Sequence, residues 1–216
     1  FHAARLLTAT LAERLGRKAE APLVGHIDSS LATVEELLQA LLEISKLDAG
    51  AVEPQLRAAA VDEILRMAVL PFEPIARRRG LRLKVVPSSA TALTDPALVR
   101  RIVQNLVSNA VRYTREGTVL VGCRRRGDAL AIQVWDTGPG IPPEQFSAIF
   151  EEFRRLGSGR EDEPAGLGLG LAIVERIAAR LGHRVTVRSR PGRGSVFEVV
   201  LPRAETPVAA RPAEAP

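Results

Sequence analysis

DPALVRRIVQNLVSNAVRYT, residues 95–114, reads as a capped amphipathic helix that carries two amides on one face. Asp95 is expected at the N-cap and Pro96 at the first helical position, where a missing N–H is harmless and φ is already helical. Asn105 and Asn109 stand one turn apart, beside the apolar Ile102, Leu106 and Val107. Hydrogen bonding to solvent is the plain reading of an asparagine, but two of them in an apolar helix point to a ligand. Neutral amide oxygens suit Mg²⁺, which keeps several waters and shares its other positions with phosphates. Arg112, three residues beyond Asn109, reaches a phosphate from nearly the same face.

Three more clusters follow in order: DTGPGI (136–141), FEEFRRL (150–156) and GLGLGL (166–171). Asp136 closes the apolar run ALAIQVWD as a lone carboxylate beside glycines, and it can accept a hydrogen bond from an exocyclic amine such as that of adenine. Gly166, Gly168 and Gly170 run into the helical pattern GLGLAIVERIAARLG, whose first N–H groups and dipole favour phosphate. Taken singly, each cluster is weak. Gly138 and Gly140 also serve an ordinary tight turn, and GLGLGL also reads as a flexible approach to a helix.

Length and composition fit this. A chain of 216 residues, 46% apolar and 25% charged, can bury a core and reads as a soluble globular protein. No run is long enough to span a bilayer and no signal segment opens the chain, so the expected location is cytoplasmic, alone or as part of something longer. Cys123 is the single cysteine, which excludes an intrachain disulfide. The net charge of +5 raises nucleic acid as a partner. The basic residues form no single motif, however: Arg77 to Arg79 precede Gly80 at a helix end, and Arg124 to Arg126 precede the turn Gly127-Asp128. The few aromatics do not alternate with them as stacking would need. Solvated faces are the expectation, with no nucleic-acid partner and no membrane contact.

In the N-terminal part, residues 23–48 are helical in pattern, with Ile27, Leu31, Val34, Leu38 and Leu41 spaced as a coiled-coil or bundle seam, widened by Leu37, Leu42 and Ile44. A shorter helix over residues 1–16 carries Leu6, Leu7, Leu11 and Leu15. Together they predict an antiparallel hairpin that buries both stripes only against a partner, as in a homodimer; packing on its own chain is the other reading. Beyond Gly50 the pattern predicts a helix over 61–79 split by Pro71 and Pro74, a strand over 81–86, and a hairpin of 118–125 with 129–136. A mobile loop over 154–166, a helix over 168–182, strands over 184–190 and 195–202 and a linker or tail over 204–216 complete the reading.

In order and spacing the four clusters resemble the N, G1, F and G2 boxes of the sensor histidine kinases, within the gyrase/Hsp90/histidine kinase/MutL superfamily. ISKLDAG (44–50) is similar to the end of the second helix of that family's dimerisation hairpin. The resemblance implies an α+β fold: a two-layer α/β sandwich that binds ATP with Mg²⁺, preceded by an antiparallel helical hairpin that forms a bundle on dimerisation. The implied domains are a partial hairpin over 1–52, an ATP-binding catalytic domain over 53–203 and a tail over 204–216. Carried over position by position, Asn109 is the Mg²⁺ ligand, Asn105 the residue one turn earlier, Arg112 a phosphate contact and Tyr113 the aromatic flanking adenine. Asp136 reads adenine, with Gly138, Gly140 and Ile141 on that wall. Phe150 and Phe153 form the F box, and Arg155 approaches the terminal phosphate. Gly166, Leu167, Gly168, Leu169, Gly170 and Leu171 line the phosphates, and residues 154–166 form the lid. An arginine stands at 154 where the family commonly has an aromatic.

Asn105 bears on the reaction. ATP-hydrolysing relatives place a glutamate there to activate water, whereas an amide cannot act as a general base. Asn105 and Arg155 are therefore assigned to phosphoryl transfer rather than hydrolysis. The family's acceptor histidine precedes an acidic residue, with a proline five positions on; His2, His26 and His183 all lack that pattern. FHAARLL (1–7) resembles the stretch just after that proline, so the acceptor is expected upstream of Phe1, with no phosphoacceptor in this chain. The expected function is the catalytic region of a two-component sensor, possessing a response regulator or receiver domain as partner, and of the hybrid type by the similarity of LLEISKLDAG and VWDTGPGIP. The alternatives are a non-catalytic phosphotransfer adaptor or an ATPase of the gyrase/Hsp90/MutL type.

Overall fold

A computed structural model describes residues 21–154 and 167–204. The expected helix over 1–16, with the hairpin it would close, the lid beyond Arg154, and the tail beyond Ala204 lie outside the described residues. The chain divides into two compact units, Phe1–Ala49 and Gly50–Pro216.

In the first unit, helix α1 (Ala21–Asp48) matches the predicted helix and ends with Lys46 in its last turn, where a cation complements the helix dipole. Ala40, Ile44 and Leu47 are buried, at spacings of four and three residues. Ile27, Val34 and Leu38 of the expected seam remain exposed.

The second unit opens with strand β1 (Arg57–Ala60), which pairs antiparallel with β3 (Thr91–Thr94). Neither strand is evident in the sequence: RAAA and TALT are four residues each, too short to show alternation. Helix α2 (Val61–Val69) gives way at Pro71 to a 3₁₀ turn over Leu70–Phe72, and α3 (Glu73–Arg78) restarts with a proline in its first turn. This is the split that two prolines demand, since each lacks the N–H of a helix interior. Strand β2 (Arg82–Val85) follows.

Helix α4 (Pro96–Tyr113) starts as its sequence dictates: Asp95 Oδ1 accepts from the N–H groups of Ala97 at 2.9 Å and Leu98 at 3.1 Å. Asp95 Oδ2 accepts from Gln55 N–H at 2.9 Å, tying the cap to the start of the unit. Strands β4 (Thr118–Arg126) and β5 (Ala129–Asp136) form the expected hairpin, turning through Gly127 at φ 61°. Helix α5 (Gly170–Leu181) ends on Gly182 in the left-handed region, and β6 (Arg184–Arg190) and β7 (Gly194–Pro202) close the unit.

The main sheet runs β2-β4-β5-β7-β6, antiparallel except for the parallel β2–β4 pair. Register puts Val121, Val134 and Phe197 in one row and Ile132 with Val199 in the next, all buried on the face that meets α4 and α5. Val99, Ile102, Val103 and Leu106 of α4 and Ala172, Ile173 and Ile177 of α5 complete that core. Each fully buried Val, Leu or Ile side chain contributes about 1.5–3 kcal/mol, so this layer holds the unit together. The result is the expected α+β sandwich of helices on a sheet.

The opposite face carries Trp135, 41% exposed, and a polar cluster. Glu198 is buried there, accepting from Gln133 Nε2 and, at 3.0 Å, from an Arg126 guanidinium N–H. Burial acts to raise the Glu198 carboxyl, but these bonds and the charges of Arg126 and Arg188 outweigh it and leave it below its ordinary value.

Candidate functional site

The amide-bearing face of α4 meets the first residue of α5. Asn105 Nδ2 donates to Arg101 O at 3.0 Å, one turn back, which leaves its Oδ1 directed toward Gly170. A Cβ on Gly170 would stand 3.2 Å from Asn105 Oδ1 and 3.9 Å from Asn109 Nδ2. Glycine at this position brings the free N–H groups of the α5 N-terminus beside both amides with no side chain pressing on Asn105 Oδ1. Leu169, 2% exposed, is packed in the core just before that terminus, so its side chain anchors the turn. Leu167, Gly168 and Leu171 are half-buried around it.

Gly168 links this corner to the FEEF segment. It has φ 69°, and its carbonyl accepts from Phe153 N–H at 3.1 Å. A Cβ there would come within 2.8 Å of the Phe153 carbonyl carbon. Phe153 itself holds φ 60°, a left-handed conformation uncommon for a bulky residue, and the residue is 55% exposed. Phe150 is half-buried in a 3₁₀ turn, and Glu152 forms an ion pair with Arg176 of α5. Arg155 and Gly166, both expected at the site, lie outside the described residues.

Beside the C-terminal end of α4, Asp136 terminates β5 opposite Ser195 of β7. Its Oδ1 accepts from Gly138 N–H at 2.8 Å, and Ser195 donates to the carboxylate through backbone and side chain. Burial raises the Asp136 carboxyl, and the bonds from Gly138 and Ser195 offset that only in part. Thr114 Oγ1 and the Tyr113 carbonyl complete this wall beside Gly138.

The loop after Asp136 is stapled to the β6–β7 turn: Ile141 N–H donates to Ser189 Oγ at 2.7 Å and Gly192 N–H to Pro139 O at 2.7 Å. At Gly140, φ 72°, a Cβ would fall 2.1 Å from Arg190 O. Tyr113 is 37% exposed and Arg112 half-buried at the end of α4, whose last carbonyls, Val111 and Arg112, accept from the Arg79 guanidinium at 2.6 and 3.0 Å.

Thus the described members of the four clusters gather within one unit, around α4 and the start of α5. Sequence reading missed Ser195, Thr114 and Arg79. GRGSVF (192–197), glycines opening a strand, held a signal for Ser195; Thr114 and Arg79 gave none, because the first stands by Gly138 and the second by the end of α4 only once the chain is folded. Among the described residues, no three His, Cys, Asp or Glu side chains gather as a metal site, and no helix is long and apolar enough to cross a membrane.

The known proteins that the chain resembles are sensor histidine kinases. The chain is 31% identical over 183 residues to the sensor histidine kinase RcsC of Escherichia coli, covering 83% of this chain and 19% of that protein. It is 35% identical over 169 residues to the sensor-like histidine kinase SenX3 of Mycobacterium tuberculosis, covering 77% of this chain and 41% of that one. Full-length ShkA, solved in complex with AMPPNP, superposes with a TM-score of 0.75 at 30% identity, over 97% of this chain and 46% of ShkA. The chain therefore spans less than half the length of each. Residues 94–205, from the strand before α4 to just past β7, match the family model described as histidine kinase-, DNA gyrase B- and HSP90-like ATPase. With both asparagines, Asp136 and the α5 glycines inside that match, the chain belongs to this ATPase family, in its sensor histidine kinase branch.

Proposed function

We propose that this chain is the catalytic region of a two-component sensor, which transfers the γ-phosphoryl of ATP to a protein histidine. The observation that carries the reading is the meeting of Asn105 and Asn109 with Gly170 along the C-terminal half of α4, and of Asp136 with Gly138 and Ser195 beside its C-terminal end. The first corner offers amide oxygens and free helix N–H groups to phosphates. The second offers a carboxylate fixed by two neighbours to an exocyclic amine. Tyr113, Ile141 and Phe150 flank the base, and Arg112 and Arg155 reach the phosphates.

The donor set fits Mg²⁺. The amide oxygen of Asn109 is a hard neutral ligand, and an ion that keeps waters and phosphate oxygens needs no carboxylate cluster. Bound there, Mg²⁺ would neutralise phosphate charge. Asn105 holds no basic form at working pH, so it leaves water unactivated while the terminal phosphoryl waits for an imidazole nitrogen. That nitrogen forms the new N–P bond as the bond to the bridging oxygen breaks and ADP departs.

None of His2, His26 and His183 has the acceptor pattern, so we take the acceptor to be a histidine outside residues 1–216. A second copy pairing through α1, a response regulator or receiver domain as the next acceptor, and a cytoplasmic setting belong to the same reading.

The test supplies the chain with γ-labelled ATP, Mg²⁺ and a helical segment bearing the acceptor histidine. Base-stable, acid-labile label on that segment alone is expected. Steady ADP release without phosphoprotein would favour the ATPase alternative, and no Mg²⁺-dependent nucleotide binding would favour the adaptor. Label on His2 would overturn the placement of the acceptor.

A further inference from the structure

The sheet face turned away from α4 and α5 has an order of its own. Register places Lys84, Leu120, Trp135, Val196 and Arg188 in one row across all five strands, with a cation at each edge and apolar side chains between. Two rows along, Arg124, Ala131, Val200 and Arg184 again run from cation to cation. Those four end residues are exposed, and so are Trp135 in the centre and Val86, which lies against Gly122. Among the strand positions of this face Glu198 is the one acid, and Trp135 the one aromatic.

A buried chain of polar groups holds the exposed ones in place. Trp135 Nε1 donates to Gln133 Oε1 at 3.2 Å, and Gln133 Nε2 donates to Glu198 Oε2. The same Glu198 oxygen pairs with Arg126 at 3.0 Å and with Arg188 at 3.7 Å. Gln133 and Glu198 are buried, whereas the Arg126 and Arg188 side chains are 44% and 59% exposed, so the anchors lie inside and the guanidinium groups outside. An indole and two guanidinium groups fixed in advance lose little freedom when a partner binds. Tryptophan and arginine are also the side chains that carry most interface energy, around an apolar centre with a polar rim. Single-stranded nucleic acid asks for successive aromatic faces to stack on, and one indole does not provide them.

We propose that this open sheet face is a docking surface for an acidic, amphipathic protein segment, with Trp135 at its apolar centre and the surrounding arginines meeting carboxylates. The cations are solvated in the free chain, and Glu198 alone does not balance them. A segment with carboxylates at its edges and apolar residues between them displaces water from Trp135, Leu120 and Val86 while pairing with Arg124, Arg184 and Arg188. A second copy of the same face does not fit, because like charges would meet across the contact. Since α4 and α5 lie on the other side of the sheet, a docked segment leaves the corner between them open.

The test titrates the full chain with a synthetic helical peptide of glutamate and leucine at amphipathic spacing. Emission is read from Trp135, the single tryptophan of the chain. The same peptide with glutamine for every glutamate, and a single-stranded oligonucleotide, serve as comparisons. The acidic peptide should move the emission saturably to shorter wavelength, with an affinity that falls as salt is raised. Arg124→Glu combined with Arg184→Glu changes two exposed residues outside the Glu198 cluster, so the variant should melt as wild type does and bind the peptide about tenfold more weakly. Trp135→Ala, followed by anisotropy of a labelled peptide, should also lose about tenfold. An emission unchanged at saturating peptide, equal affinity for the glutamine peptide, or undiminished binding in the arginine variant would each overturn the docking surface. An oligonucleotide bound more tightly than the peptide, and lost in that variant, would overturn it in favour of a nucleic-acid surface.

Discussion

Asn105 and Gly170 belong to different helices 65 residues apart, yet the amide oxygen of the first lies 3.2 Å from where a Cβ of the second would stand. Gly170 has an ordinary helical conformation, so alanine there meets no backbone strain and is otherwise the better helix former. Gly170→Ala should therefore melt at or slightly above the wild-type temperature. Its methyl should nonetheless push the Asn105 side chain off its place and weaken Mg²⁺–nucleotide binding. Unchanged affinity in a titration would remove the α5 N-terminus from the site.

Asn109 offers the neighbouring amide, and its removal separates the metal from the base. Asn109→Ala should lose the increment in nucleotide affinity that Mg²⁺ confers, leaving the affinity measured in EDTA nearly unchanged. The residue is half-buried, so the melting temperature should shift little. Loss of binding in both conditions would mean that Asn109 acts through the shape of α4 rather than through a ligand.

Much of this was legible in the sequence, and the reasons are local. Asp95-Pro96 fixes the start of α4 by chemistry that needs no tertiary contact, and the spacing of Asn105 and Asn109 follows from helical pitch alone. Pro71 and Pro74 broke their helix for the same reason. β1 and β3 escaped because they are edge pieces of four residues stabilised by each other, with Arg57 opposite Thr94 across 37 positions of chain. Thr114 and Ser195 escaped because a hydroxyl takes its meaning from what stands opposite, here Gly138 and Asp136. The basic residues also sort only in three dimensions: alternation along β4 and β6 puts Arg124, Arg126, Arg184 and Arg188 on the sheet face away from the helices, as solvated residues around Glu198.

Asp136 should show opposite effects on stability and binding. Burial holds its carboxyl above the ordinary value, so folding favours the protonated form. The penalty is fully present above the folded value and is relieved as pH falls toward the ordinary carboxylate range. Asp136→Asn lacks a charge to bury and should melt higher than wild type at neutral pH, by a margin that closes in acid. It should bind no nucleotide at either pH. A variant that melts lower at neutral pH would show that the bonds from Gly138 and Ser195 outweigh the burial.

His183 predicts the acid limit of the same unit. The ring is buried at the start of β6, its Nε2 is 2.7 Å from Thr94 Oγ1, and burial holds it below the ordinary histidine value. As pH falls through the ordinary range the unfolded chain takes up a proton that the folded chain refuses, so stability present above that range is lost below it. Thermal melts should therefore fall in temperature as the buffer is taken from neutral to mildly acidic. His183→Gln keeps a side chain able to bond Thr94 but cannot titrate, and its melting curve should be flatter across that interval. The chain has three histidines, so a variant that falls as steeply as wild type would move the acid sensitivity to His2, His26 or the carboxylates.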